Sequence, residues 1–392
     1  MSKTPSDDLI PEKDLTRRLR IVINGTHAKS GGGVTYLRAI LPELVKQQGI
    51  ELHLFLHRDQ VEHFYPICEG VRLQLFDHKL GFWPTLWWEQ VSLPVLTWAM
   101  GADVVFSPAN FGPIFARNHV IMLRNATSVI RLTTTLRPMG YWLVLSAATL
   151  ISLLFARRAI AVSEYAARVL TFGLRRLFNR KLNVVYHGTT KPLRERESNR
   201  SPGSALLAVS DIYVQKNYHS LIEAFGKLHQ RYPELTLTIA GREIDSSYSD
   251  QVRRLAASLG VDDAVHFVGH LDTEALRDLY QECHIFVFPS TIETFGNPLL
   301  EAMSIGAPIA CSDTAAMPEV IGDAGLTFDP YDISDIVYTI ERLVKNPSLR
   351  EELGKKASYR AKSFSLDTTA KFTIDVLRNA GFVGSKYVRK PR

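Results

Sequence analysis

The chain is predicted to be an α/β protein made of two domains, each a parallel sheet of short strands alternating with helices. Three observations carry this. Short apolar runs rich in β-branched residues recur along the whole length, separated by stretches with helical periodicity. Most of these runs are apolar throughout rather than alternating, as strands covered on both faces are. And 392 residues exceed one ordinary domain, while Lys191 to Ser204 is charged, polar and proline-containing, the composition of a linker. The expected division is 1–187, a linker 188–204, a second domain 205–365, and a final helix with a basic tail, 366–392.

Leu19 to Asn24 reads as the first strand. The glycine-rich stretch Gly25 to Val34 follows, then a helix with Val34, Leu37, Ile40, Leu41 and Leu44 on one face. The glycine spacing is neither the dinucleotide fingerprint nor a P-loop. Read alone, it is as well explained by a flexible turn as by a ligand loop. Gly32 and Gly33 are the candidates for close approach to a ligand. Further strands are expected at Glu51 to Leu56, Val71 to Phe76, Asp103 to Phe106 and His119 to Leu123. Trp83, Trp87 and Trp88, beside Glu89, read as a helix packed on the sheet rather than as a sugar platform. Arg124-Asn125, at the end of a strand, are polar candidates for the cleft.

Tyr141 to Ala156 is the longest apolar run. It falls short of the roughly 20 residues a membrane span needs. Arginines surround it, among them Arg131, Arg137, Arg157, Arg158, Arg176 and Arg180. That mixture suits either a core helix beside a solvated basic face or a helix lying against anionic lipid. Ala159 to Val162 is another strand, with Ser163 capping a helix. Leu182 to Tyr186 leads into His187-Gly188 at the crossover between domains.

The second domain opens on the strand Ala205 to Val209. In the loop that follows, Lys216 is a point charge near a helix N-terminus, a place where phosphate binds readily. Arg242, after the strand Leu235 to Ala240, could add a second charge. Strands are expected at Val265 to Gly269, His284 to Phe288 and Pro308 to Ser312, and the last helix at about Leu366 to Asn379. After the His284 strand comes Pro289 to Met303, around which the chain is organised. Gly296 lets backbone come close to a ligand, and Pro298 suits the first turn of a helix. The helix start points free N–H groups at the same place. Glu293 stands before the turn and Glu301 inside the helix.

Glu293, seven residues, then Glu301, together with Pro289-Ser290, Glu293-Thr294-Phe295-Gly296 and Leu300-Glu301-Ala302-Met303, resembles the E-x7-E motif of retaining family-4 glycosyltransferases, the group 1 glycosyl transferases. The resemblance implies the GT-B fold: two Rossmann-like domains facing across a cleft, the first for the acceptor, the second for a nucleotide sugar, with the last helix crossing back. It is strongest from about 180 to 365. It implies that Lys216 and the amides of Thr294, Phe295, Gly296 and Asn297 hold the donor diphosphate, with Gly32 and Gly33 closing over it. It further implies that Glu293 holds sugar hydroxyls and Glu301 the ribose diol. Two positions depart from the family. Ser210 stands where an arginine is common, and Arg124-Asn125 where a His-Asp pair is common. We carry Asn125 as a catalytic candidate, Ser210 as a donor contact, and Arg124 and His187 as cleft residues.

The implied reaction is transfer of a hexose, with GDP-mannose as first guess, to a saccharide or lipid-linked saccharide in surface polysaccharide assembly. No Asp-x-Asp motif stands at a strand end, and neither metal nor cofactor is expected. The alternatives are a catalytically lapsed sugar-nucleotide or membrane scaffold protein and a nucleotide-sugar epimerase, the latter disfavoured by the E-x7-E context. Residues 101–200 hold fifteen Arg or Lys against four acids, and 201–300 hold seven against thirteen. A basic first half suggests an anionic partner. Apolar residues among the arginines favour an anionic membrane or a lipid diphosphate over nucleic acid. Three scattered cysteines, Cys68, Cys283 and Cys311, argue against a disulfide framework. Met1 to Thr16 has no apolar core and does not read as a signal peptide, so a cytoplasmic setting is expected, at the inner face of the plasma membrane if the membrane contact holds.

Overall fold

The computed structural model describes residues 18–29, 32–79, 81–124, 136–189 and 204–381. Asn125, Arg131, most of the linker and both termini lie outside these residues.

The first sheet holds β1 (Leu19–Asn24), β2 (Ile50–His57), β3 (Val71–Phe76), β4 (Val104–Ser107), β5 (His119–Leu123), β6 (Arg158–Ala161) and β7 (Leu182–Val184). Its order is β3-β2-β1-β4-β5-β6-β7, and every pairing is parallel. The second sheet holds β8 (Ala205–Val209), β9 (Thr236–Ala240), β10 (Val265–Gly269), β11 (Ile285–Phe288), β12 (Ile309–Ser312) and β13 (Leu326–Phe328). Its order is β10-β9-β8-β11-β12-β13, again all parallel. β4, β5, β11 and β12 are buried along their whole length, which is why they read as unbroken apolar runs. Each sheet reverses its strand order once, between β1 and β4 and between β8 and β11. The carboxyl ends at such a switch point form a ligand crevice. These are the two α/β domains that the resemblance implies.

The last helix, Leu366–Gly381, packs on the first sheet beside the helix Gly32–Val45. Its Ile374 and Leu377 share a core with Ile21, Ile23, Leu37 and Ile40, and Thr369 Oγ1 donates to the carbonyl of Tyr186 at 2.9 Å. That core continues through Phe364 and Phe295 into the second domain.

The tryptophan segment packs on the sheet as expected through Trp88 and Leu93, but not through its other indoles. Three consecutive helical segments, Phe82–Trp87, Trp88–Ser92 and Leu93–Ala99, form one helical rod whose middle piece is a π-helix. Trp88 and Glu89 are buried there. Trp83 and Trp87 stay outside, 74% and 67% exposed. Among the described residues no helix is long and apolar enough to cross a membrane.

Candidate active site

The site is built on the turn between β11 and the helix Asn297–Ile305. Thr291 anchors the turn, since its amide and its hydroxyl both donate to the carbonyl of Gln215, at 2.9 and 3.2 Å. This sets the turn beside the loop that carries Lys216. Gly296 then takes a left-handed conformation with φ 93°. A Cβ there would be strained and would press on the Phe288 ring at 3.3 Å, so the turn needs glycine. Pro298 stands in the first helical turn, where its missing N–H costs nothing.

The same turn is tied to the first domain. Ser163 Oγ donates to the Thr294 carbonyl at 2.6 Å, and Thr294 Oγ1 donates to the carbonyl of Arg124. Phe295 is buried and edges onto His187 and Phe364. Its side chain therefore serves packing at the junction, while its backbone remains part of the turn.

Lys216 ends a short 3-10 turn, Val214–Lys216, closed by Asn217 in the left-handed region. Its Nζ lies 2.5 Å from Glu293 Oε1, with the side chains 10% and 16% exposed, and 5.2 Å from the Tyr213 ring centroid. Burial works against the charged ammonium, but the Glu293 carboxylate outweighs it and the pKa is raised. The cation is thus permanent and sits in a shielded place. Glu301 has a different partner. Tyr280 Oη donates to Glu301 Oε2 at 3.0 Å, and no cation offsets its burial. Burial pushes the Glu301 carboxyl up to about 7, with the Tyr280 hydrogen bond pulling the other way.

The first domain supplies the opposite wall. Arg124 Nη1 donates to the Gly32 carbonyl at 3.3 Å, and its amide donates to Asn110 Oδ1 at 2.8 Å. Gly33 lies under the guanidinium, where a Cβ would stand 3.0 Å from Nη2. Burial lowers the Arg124 pKa, and Tyr36 opposes the shift. His187 packs between Tyr36 and Phe295, with ring centroids 5.1 and 5.3 Å away. Burial, then Arg124, pushes it down to about 3, so at neutral pH it is an uncharged ring.

Two side chains considered for the diphosphate are spoken for. Ser210 Oγ is hydrogen-bonded to Tyr218 Oη at 2.6 Å. Arg242 grips Asp211 through Nη2 and Nε, at 2.8 and 3.2 Å. The sequence reading missed a polar cluster at the carboxyl end of β1. His27 Nε2 lies 2.7 Å from Glu89 Oε1, and Asn24 Nδ2 donates to the same oxygen at 3.2 Å. Burial disfavours a charged His27, yet Glu89 overrides it and the pKa is raised. The pair spans sixty-two positions and joins a loop to a π-helix, so no local pattern announces it. Glu319 was also missed as a contact: its carboxylate accepts the amides of Glu164 and Tyr165 at 2.6 and 3.0 Å.

Residues 191–360 match the family model described as "Glycosyl transferases group 1". That match takes in somewhat less than half of the chain. The chain is 34% identical over 179 residues to the "Serotype-specific mannosyltransferase WbdA" of Escherichia coli, covering 44% of this chain and 22% of that protein. It is 33% identical over 177 residues to the "O-antigen chain mannosyltransferase B" of Escherichia coli, covering 44% and 45%. The matches thus span from about a fifth to less than half of these relatives. Among solved structures, Anabaena HepE in complex with UDP-glucose aligns with TM-score 0.72 at 17% identity, covering 92% of this chain and 99% of that one. WaaG, "a glycosyltransferase involved in lipopolysaccharide biosynthesis", aligns with TM-score 0.69 at 14% identity, covering 93% and 100%. At these identities the structural likeness speaks for the fold, and the fold is GT-B.

Proposed function

We propose that the chain transfers a hexose from a nucleoside-diphosphate sugar, GDP-mannose first among candidates, to a saccharide or lipid-linked saccharide, with retention of anomeric configuration. The mannosyltransferase relatives support the choice of sugar and a place in surface polysaccharide assembly. The observation that carries the reading is the shielded Lys216–Glu293 pair at the start of the Asn297–Ile305 helix.

In this reading Lys216 and the amides of Thr294 to Asn297 neutralise the diphosphate as it leaves, which is electrostatic stabilisation of developing charge. Glu293 accepts hydrogen bonds from sugar hydroxyls and orients them. Glu301 accepts from the ribose diol. Gly32, Gly33 and Arg124 close the cleft from the other side, and Asn125 remains a catalytic candidate on the same loop. The acceptor oxygen attacks from the face the diphosphate leaves, within a tight ion pair, and no metal is required. The enzyme works at the cytoplasmic surface of a membrane, where a lipid-linked acceptor would be met.

A second reading has its own support. With Ser210 and Arg242 otherwise engaged, the β8 loop offers Lys216 alone to the diphosphate, which is what a lapsed sugar-nucleotide-binding protein would show. Nucleoside-diphosphate release from a panel of GDP- and UDP-sugars separates the two. The transferase reading expects turnover of one donor, insensitive to EDTA and abolished in Glu293→Ala. Tight binding of a donor without turnover, even with membrane lipid extract present, would move the lapsed reading ahead.

A further inference from the structure

Two helices of the first domain turn uncharged faces outward. The rod from Phe82 to Ala99 contains a single ionisable residue, Glu89, and it is buried. Trp83, Trp87, Val91, Val95 and Trp98 are all exposed. They recur at intervals of four, four, four and three residues, which puts them in one stripe. The neighbouring helix, Leu136–Phe155, has no ionisable residue from Leu143 onward. It exposes Leu143, Val144, Ile151, Leu154 and Phe155.

The two helices are tied to one loop. Gln90 of the first donates to the Gly112 carbonyl at 3.1 Å, and Ser152 of the second accepts from the Gly112 amide at 3.3 Å. Phe115, 62% exposed, stands on the same loop. Together the two helices and this loop expose more large apolar side chains than monomeric proteins usually leave bare. A basic rim borders it. Lys181 Nζ donates to the carbonyls of Leu154 and Ala156 at 2.9 and 3.2 Å, bringing up a segment on which Leu174, Leu177, Arg176 and Arg180 are exposed. Residues 143–181 carry seven Arg or Lys against one acid, Glu164, and Glu164 is already paired with Arg175 at 2.6 Å.

We propose that this two-helix face docks on the surface of an anionic bilayer, with Trp83, Trp87 and Trp98 at headgroup level and the arginine rim on acidic lipid. Tryptophan beside basic residues is the composition of an interfacial helix. A second copy of the chain fits the rim poorly, because a two-fold contact would set like charges against each other. Each helix follows a strand's carboxyl end and runs back along the sheet. The Trp83 and Leu143 ends therefore lie on the cleft side, and docking would hold the cleft mouth near the lipid. The choice of lipid as occupant draws on the reading of a lipid-linked acceptor. Its test is read without turnover, so the two readings can fail separately.

The test is density-gradient flotation of the full chain with phosphatidylcholine vesicles, with and without phosphatidylglycerol. The wild type is expected to float with the anionic vesicles and more weakly with the neutral ones. Trp83→Glu/Trp87→Glu should reduce partitioning by about tenfold or more, and Arg176→Glu/Arg180→Glu should remove the anionic preference. Circular dichroism checks that these solvent-facing changes leave the fold intact. The proposal is overturned if the wild type floats with neither vesicle, or if the tryptophan variant floats as well as wild type. It is equally overturned if the wild type sediments as a dimer that the tryptophan variant dissolves into monomers.

Discussion

Raising the pH through neutrality is expected to weaken the folded chain and strengthen its hold on a nucleotide, and Glu301 is the cause of both. Burial pushes its carboxyl from the ordinary 4.5 up to about 7, the Tyr280 hydroxyl opposing. A carboxyl raised in the folded state binds more protons there than in the unfolded chain. Its contribution is therefore fully present below about pH 4.5 and is lost as the pH rises through about 7. At 1.36 kcal/mol per unit, the loss is on the order of 3 kcal/mol. For a domain of this size that is a fall in Tm of roughly 5–10 °C. The ribose diol assigned to Glu301 donates hydrogen bonds, and an ionised carboxylate is the better acceptor. Nucleotide binding below pH 7 should then release a proton, with Kd tightening by up to about tenfold per unit of pH. Thermal melts from pH 5 to 8, compared between wild type and Glu301→Gln, isolate this group from the histidines. Calorimetry of GDP binding in buffers of different ionisation enthalpy counts the proton. If the two proteins melt with parallel pH profiles, Glu301 is not held protonated. If nucleotide binding releases no proton that Glu301→Gln abolishes, the diol assignment fails.

Two further outcomes are expected. Lys216→Met should lower nucleoside-diphosphate release by about 10²–10³-fold, and Lys216→Arg should recover little of it, because the shielded site fits a compact ammonium rather than a planar fork; steady-state release assays with the preferred donor read both. Glu319→Gln loses charge-assisted bonds to the amides of Glu164 and Tyr165 and should cost about 1–3 kcal/mol, seen in urea denaturation and in faster proteolysis between the domains.

Most of the strands were legible because both faces of each sheet are covered, so burial alone writes an apolar run. β13 was not, since Leu326–Phe328 is too short to stand out and exists only by pairing with β12. The turn after β11 was legible because its parts are consecutive: strand, Glu293, Gly296, Pro298, helix. The partners were not. Tyr280 reaches Glu301 from another helix, Glu89 reaches His27 across the sheet, and Glu319 reaches the Ser163 helix from the other domain. Such contacts depend on how crossovers pack, which local periodicity does not encode. The outward tryptophans were misread for a related reason. Composition says that aromatics pack, while the phase of the helix decides which of the three indoles goes in.

The two carboxylates of the turn show why spacing matters beyond a pattern of letters. Glu293 stands before the turn and meets the Lys216 ammonium. Glu301 stands one turn into a helix and meets a phenol, so it titrates near neutrality. Two like groups thus meet different partners, which under the proposed function would let one hold a sugar and the other sense a nucleotide. The link between them is rigid. Gly296 alone permits the left-handed step, and from there each residue advances the helix by about 100°. Adding or removing one residue between Gly296 and Glu301 would swing the carboxylate away from Tyr280, while leaving Lys216 and Glu293 in place. The interval is thus set by two constraints at once, the sheet that fixes Glu293 and the helix phase that aims Glu301.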